Sequence, residues 1–331
     1  MIRAFGEWEK QEMLLVTLPH ENSDWNCYLD DILSSYCSFV KSAAKYQKVG
    51  VISPSKEKFK AFLDGMNLSN LHEIVSFEIA TNDTWIRDYG AIDVLKDGEI
   101  VSYDFGFNAW GGKFDSSLDN SVNKKLFENC YLKGSLEEID LILEGGSVDF
   151  NGEGVLLTTK KCLLNSNRNA KFDQSKIETK LKELFGLKKI IWLERGFIKG
   201  DDTDSHIDTL ARFISCDTIA YSSCDDRQDE HFDELAAMRE ELEMSGFKLV
   251  ALPLPKAKFY KGRRLPATYA NFVFVNGALI VPVYGDNNDE IVLDRLQDAL
   301  PNLEVVAVDA TVFIRQNGSL HCSCQNRFAL S

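Results

Sequence analysis

The stretch Gly90-Ala-Ile-Asp-Val-Leu-Lys-Asp-Gly-Glu-Ile-Val-Ser-Tyr-Asp-Phe105 holds two runs rich in β-branched and aromatic residues on either side of an Asp-Gly pair. Asp-Gly tolerates the positive φ of a tight turn, so the spacing predicts two antiparallel strands. The figure recurs three times. Ser147–Phe150 and Val155–Thr159 flank Asn151-Gly-Glu-Gly154, Thr209–Ile214 and Ile219–Ser222 flank Ser215-Cys-Asp-Thr218, and Tyr269–Val275 and Ala278–Val283 flank Asn276-Gly277. The turns follow one another at roughly 55–65 residues, with helix-like segments over 120–130, 174–185, 229–245 and 290–300. Such a period argues for a repeated supersecondary module, arranged radially or in series.

Ahead of the first hairpin the chain alternates strand (11–20), helix (25–45), strand (49–53), helix (56–63) and strand (71–79), the pattern of an α/β protein. No Pro/Gly/Ser-rich linker or charge run divides the chain, so residues 1–331 are expected to form a single domain. Acidic side chains number 51 against 37 basic ones, a formal net charge of −14. That balance disfavours nucleic acid and anionic membranes as partners and favours a small cationic substrate. The eight cysteines form no Cys-x-x-Cys pair, so neither a structural zinc site nor a disulfide framework is expected. Met1–Lys10 lacks the apolar run of a signal peptide and no stretch approaches a membrane span, which places the expected location in the cytoplasm with reduced thiols.

Near the end, Asn317-Gly-Ser-Leu-His-Cys-Ser-Cys-Gln325 delivers Cys322 just after a histidine. A cysteine that only packs is the ordinary reading of such a residue. Three polar clusters upstream offer such a thiol partners: Trp85-Ile-Arg-Asp-Tyr-Gly90, Glu144-Gly-Gly146 and Asp201-Asp-Thr-Asp-Ser-His-Ile-Asp208. Each falls at or just before the first strand of a hairpin, and equivalent loops of a radial array would converge. His206 and Asp208 share one face if they lie in a strand. Asp88 reads either as half of an Arg87–Asp88 pair or as a carboxylate gripping a planar guanidinium. Trp85 is either core or a flat wall for a cation. The two glycines after Glu144 permit close approach of the backbone. A soft nucleophile, several carboxylates and a histidine form the set needed to attack a guanidinium carbon and expel ammonia.

At these residues the chain resembles the agmatine deiminase family, grouped with the Porphyromonas-type peptidylarginine deiminases; Asn165-Ser-Asn-Arg-Asn169 and Phe105–Trp110 share in the likeness. The resemblance spans essentially the whole chain. It implies a pentein fold, a five-bladed α/β propeller of ββαβ modules about a pseudo-fivefold axis. The fifth module would join the N-terminal strands to a C-terminal one carrying Cys322. It further implies Cys322 as nucleophile, His206 as general acid/base, Asp88 and Asp208 gripping the guanidinium, and Glu144 hydrogen-bonding it and placing the histidine. Trp85, Trp110 and Asp202 would bind substrate, with Asp202 toward the distal amine of agmatine. No cofactor or metal is implied, and a homodimer is left open. Ala91, Asn317-Gly-Ser319 and Cys324 depart from the family pattern without removing a reacting group. The expected reaction is hydrolysis of agmatine to N-carbamoylputrescine and ammonia through a covalent amidino-thioether. A deiminase of free or peptidyl arginine and a non-catalytic polyamine binder are the alternatives.

Overall fold

The computed structural model describes residues 1–64, 66 and 68–330. All four hairpins are present: Ile92–Lys96 with Glu99–Gly106, Val148–Phe150 with Val155–Thr159, Ala211–Ser215 with Thr218–Ser223, and Val273–Val275 with Ala278–Val283. At the first turn Asp97 and Gly98 have φ of 53° and 90°, the backbone that the Asp-Gly pair was read as permitting.

Each hairpin continues through a helix into a third strand, parallel to its second, which the hairpin pattern alone did not contain and which the ββαβ module implied by the resemblance does. Ser135–Ile142 lies along Glu99–Gly106, Lys189–Leu193 along Val155–Thr159, Lys248–Pro253 along Thr218–Ser223, and Glu304–Asp309 along Ala278–Val283. The intervening helices are Val122–Glu128, Gln174–Phe185, Phe232–Ser245 and Asn288–Ala299. In Gln174–Phe185 the buried residues Ile177, Leu181 and Phe185 recur every fourth position, a stripe that packs one face against the sheets. Gly186 ends that helix in the left-handed region with φ 63°, and a Cβ there would lie 1.9 Å from the Ile2 carbonyl oxygen. Only glycine satisfies both demands.

The fifth sheet joins the two ends of the chain. Cys324–Phe328 runs antiparallel to Gln11–Thr17, which pairs in parallel with Lys48–Ser53 and, through it, with Ile74–Glu78. Cys322 itself stands two residues before that C-terminal strand, in the turn that leads into it, and not on the strand as expected. Among the described residues there are thus five mixed sheets, each combining an antiparallel and a parallel pairing. Also among the described residues, no helix is long and apolar enough to cross a membrane.

This wiring positions the polar groups. Asp88 lies in the short helical turn Ile86–Tyr89 before Ile92, and Glu144 precedes the turn Gly145–Ser147 before Val148. His206 and Asp208 flank the start of the turn Ile207–Thr209 before Ala211, Asn271 precedes Val273, and Cys322 precedes Cys324. Each of the five sheets therefore contributes the loop leading into its first hairpin strand.

Candidate active site

The loops meet at Gly146. A Cβ built there would lie 2.6 Å from His206 Nδ1, 2.8 Å from Asp88 Oδ1 and 3.1 Å from Asp208 Oδ2, so three reactive side chains converge on one point of backbone. The glycine pair after Glu144 is thus explained by space: Gly146 admits the three groups, and Gly145 abuts the Arg87 carbonyl oxygen. We expect Gly146→Ala to lower kcat by roughly 100-fold or more, since an ångström-scale shift of positioned groups has that cost. Turnover within a few-fold of wild type in a folded Gly146→Ala protein would contradict this crowding.

Cys322 lies at a cavity of about 220 Å³ that is also lined by Trp85, Asp88, Trp110, Asp202 and Thr209. Its Sγ is 3.5 Å from Asp208 Oδ2 and receives the Asn271 side-chain amide at 3.2 Å. The Asn271 Oδ1 accepts from the backbone N–H groups of His321 and Cys322, which fixes the turn that carries Cys322. Burial, followed by the Asp208 and Asp88 carboxylates, holds the thiol well above its ordinary pKa. The resting sulfur is accordingly protonated, and a cation between it and those carboxylates reverses the largest charge effect.

Asp88 accepts from Gly146 N and from Trp110 Nε1, both at 2.9 Å, and its Oδ1 stands 3.5 Å from His206 Nδ1. Burial raises it to about 6, opposed by His206. Around His206 burial disfavours the charge, yet Asp88, with Cys162 and Glu144, outweighs it and holds the imidazole well above its usual value. Its Nε2 is buried without a hydrogen-bond partner and lies 3.9 Å from Glu144 Oε2. Asp208 Oδ1 is likewise buried and accepts from no protein group.

Arg87 and Asp88 do not pair as one reading of the sequence had it. The Arg87 guanidinium instead donates to Asn326 Oδ1 at 2.7 Å and to the His321 carbonyl at 3.3 Å, tying the Asp88 loop to the Cys322 loop. The two-residue spacing of His206 and Asp208 does bring both to the centre, but through a 3-10 turn and not along a strand. Trp85 packs over Gly318, whose added Cβ would meet its ring at 2.2 Å. Asp202 lines the cavity and accepts from Asn317 Nδ2 at 2.9 Å.

Three contributors went unrecognised in the sequence. Asn271 carried no motif. Arg168 sat within Asn165–Asn169, which was noted without a role; its Nε meets both Glu144 oxygens at 2.9 and 2.7 Å, and both side chains are fully buried. Burial raises Glu144, but His206 and Arg168 overcome it and keep the carboxyl below its ordinary value. Cys162 is the third. It has no exposed surface, and its sulfur lies with Glu144 and His206 so that their ligating atoms fall within 4.8 Å of one another. Such a trio could ligate a cation in principle. Here Arg168 already occupies both carboxylate oxygens, and we read the trio as the seat of the His206 ring.

The family of Porphyromonas-type peptidyl-arginine deiminases matches residues 3–327. The chain belongs to that family. A structure of C. jejuni agmatine deiminase, a cysteine-to-serine form with substrate bound, is 57% identical with a TM-score of 0.96, covering 99% of this chain and 97% of that one. The agmatine deiminase of Pseudomonas aeruginosa (strain LESB58) is 30% identical over 98% of this chain and 95% of its own length. The structure of agmatine deiminase of Enterococcus faecalis is 28% identical with a TM-score of 0.89, covering 100% of this chain and 96% of that one. Within the family, then, likeness to agmatine deiminases extends over the entire fold and not over isolated motifs.

Proposed function

We propose that the protein hydrolyses agmatine to N-carbamoylputrescine and ammonia. The observation that carries this reading is the charge of the cavity. Seven aspartates line it with Cys322, and its lining includes neither lysine nor arginine. A substrate with a guanidinium at one end and an ammonium at the other suits that wall throughout. Free arginine would bring an α-carboxylate among these acidic side chains. The activity described for the C. jejuni and P. aeruginosa relatives supports the same substrate.

In this mechanism Asp88 and Asp208 grip the guanidinium and Trp85 and Trp110 flank it, while Asp202 faces the distal amine. The bound cation lowers the thiol's pKa; Cys322 loses its proton to solvent as the substrate enters, and the thiolate attacks the guanidinium carbon. His206 donates a proton to the departing nitrogen, and ammonia leaves an amidino-thioether on sulfur. His206 then takes a proton from water, which adds to the same carbon. The C–S bond breaks as the adduct's hydroxyl proton passes to sulfur, returning the thiol, leaving His206 protonated as it began and releasing the ureido product. Glu144, both of whose oxygens accept from Arg168, keeps His206 in place. We further propose that the five sheets form a single domain of five modules about a pseudo-fivefold axis, supported by the five equivalent loops. A cytoplasmic location fits eight cysteines that are all free; a homodimer is the assembly to test by solution mass.

Ammonia release should be measured with agmatine, free arginine and a peptide ending in arginine. We expect kcat/KM for agmatine to exceed that for either of the others by roughly 100-fold or more. Tight binding of agmatine or putrescine without ammonia release would make the protein a polyamine binder and end the enzymatic reading.

A further inference from the structure

The mechanism above leaves a buried row of charge unused. The His321 ring, buried beside the nucleophile, stands between two carboxylates. Its Nδ1 is 2.8 Å from Asp208 Oδ2, and its Nε2 is 2.8 Å from Glu7 Oε2. Glu7 comes from the other end of the chain. Its Oε1 accepts from Phe274 N at 3.0 Å, and its Oε2 also pairs with the buried Arg212. Arg212 is held in turn by Asp149 at 3.1 Å. Ionised carboxylates only accept hydrogen bonds, so His321 satisfies both neighbours at once only when both ring nitrogens carry hydrogen.

We propose that His321 is a positioning residue: a cationic bracket, anchored by Glu7, that turns Asp208 Oδ2 inward and leaves Asp208 Oδ1 free to receive a guanidinium N–H. The inference rests on the guanidine reading of the site. It accounts for two facts together. Asp208 Oδ1 is buried and accepts from no protein group, although Oδ2 of the same carboxylate is engaged by His321 and approached by the Cys322 thiol.

The charges around Asp208 are His321, His206 and Arg212, with Cys322 and Asp88 on the cavity side. Glu7 faces His321, Arg212 and Arg87. Burial raises the Asp208 carboxyl, but the His321 hydrogen bond and charge, with His206 and Arg212, more than offset it and hold the group below its ordinary value. Removing His321 therefore raises Asp208. Since a protonated Asp208 loses the charge that draws the guanidinium to Oδ1, the acidic limb of the kcat/KM profile moves to higher pH.

The test uses His321→Gln and Glu7→Gln in the full chain, with circular dichroism confirming the fold. For agmatine we expect His321→Gln to lose roughly 10- to 100-fold in kcat/KM and to shift the acidic limb upward. Glu7→Gln should shift the limb in the same direction by less. A fall in melting temperature with KM, kcat and the pH limb unchanged in both variants would reduce His321 to packing and overturn the proposal. A second readout needs no substrate. In the ¹⁵N-labelled wild type, two ring N–H signals that vanish in His321→Gln are expected at neutral pH, and a single one refutes the bracket. If His321→Gln does not fold, Glu7→Gln and the wild-type spectrum decide. If the wild type releases no ammonia from agmatine, the functional reading fails by itself, and the ring signals still judge the bracket.

Discussion

Cys322→Ser is expected to release ammonia from agmatine at less than about 0.1% of the wild-type rate, because a serine hydroxyl without an adjacent base is a far weaker nucleophile than a thiolate. The surroundings of the sulfur sharpen the expectation. Asp208 at 3.5 Å and the nearby Asp88 already hold the thiol well above its ordinary pKa, and a hydroxyl in that field is harder still to ionise. The oxygen is smaller than sulfur but keeps a place for the Asn271 amide, so folding and agmatine binding should survive. Intact-protein mass after rapid mixing with agmatine gives the covalent step directly. The wild type should gain the amidino group on one sulfur, and Cys322→Ser should gain nothing. Cys162 is the necessary control, since it too is a cysteine beside His206. It has no exposed surface and does not line the cavity, so Cys162→Ser should still form the adduct, although a disturbed His206 will slow its breakdown. An adduct on Cys322→Ser, or more than a few per cent of wild-type turnover, would remove Cys322 from the reaction.

How far the sequence led is best seen residue by residue. The hairpins were legible because turn chemistry is local: Asp97-Gly98 and Asn276-Gly277 announce their backbone within two residues. The third strand of each module was not legible locally and came only with the ββαβ module that the resemblance implied. Lys189–Leu193 and Glu304–Asp309 are short apolar runs whose identity depends on a partner strand reached through a whole helix, and no local signal separates them from the end of that helix. Asp88, Glu144, His206, Asp208 and Cys322 stood out as motifs, yet their local geometry did not. A 3-10 turn, not a strand, presents His206 and Asp208, and Arg87 bridges to Asn326 instead of its neighbour Asp88. Arg168, Asn271 and His321 act through partners 24, 51 and 113 residues away. Pairings at such separations leave no trace in composition or periodicity.

The largest effect on stability should come from Arg168→Met. The guanidinium gives Nε to both Glu144 oxygens, Nη1 to Asp204 Oδ2 at 2.7 Å and Nη2 to the Thr203 carbonyl at 3.0 Å. With both side chains of the Arg168–Glu144 pair fully buried, methionine leaves a carboxylate in a dry interior without its cation. Breaking one side of such a pair costs roughly 3–5 kcal/mol, on the order of 10 °C in melting temperature for a chain of this size. The sign with pH follows from Glu144. Its folded pKa lies below the ordinary value, so it contributes stability that is present above the unfolded-state pKa and lost as pH falls through the folded one. Without Arg168 the folded pKa rises, and the loss begins at higher pH. Adding Glu144→Gln to Arg168→Met removes the stranded charge and should recover much of the stability. It should not restore turnover, because the amide cannot support a cationic His206 as the carboxylate does. Denaturant unfolding and ammonia release across the four proteins of this cycle separate the two roles. Recovery of stability with activity still absent is the expected outcome. An Arg168→Met protein destabilised by less than about 1 kcal/mol would put the pair in the range of exposed salt bridges and contradict its burial.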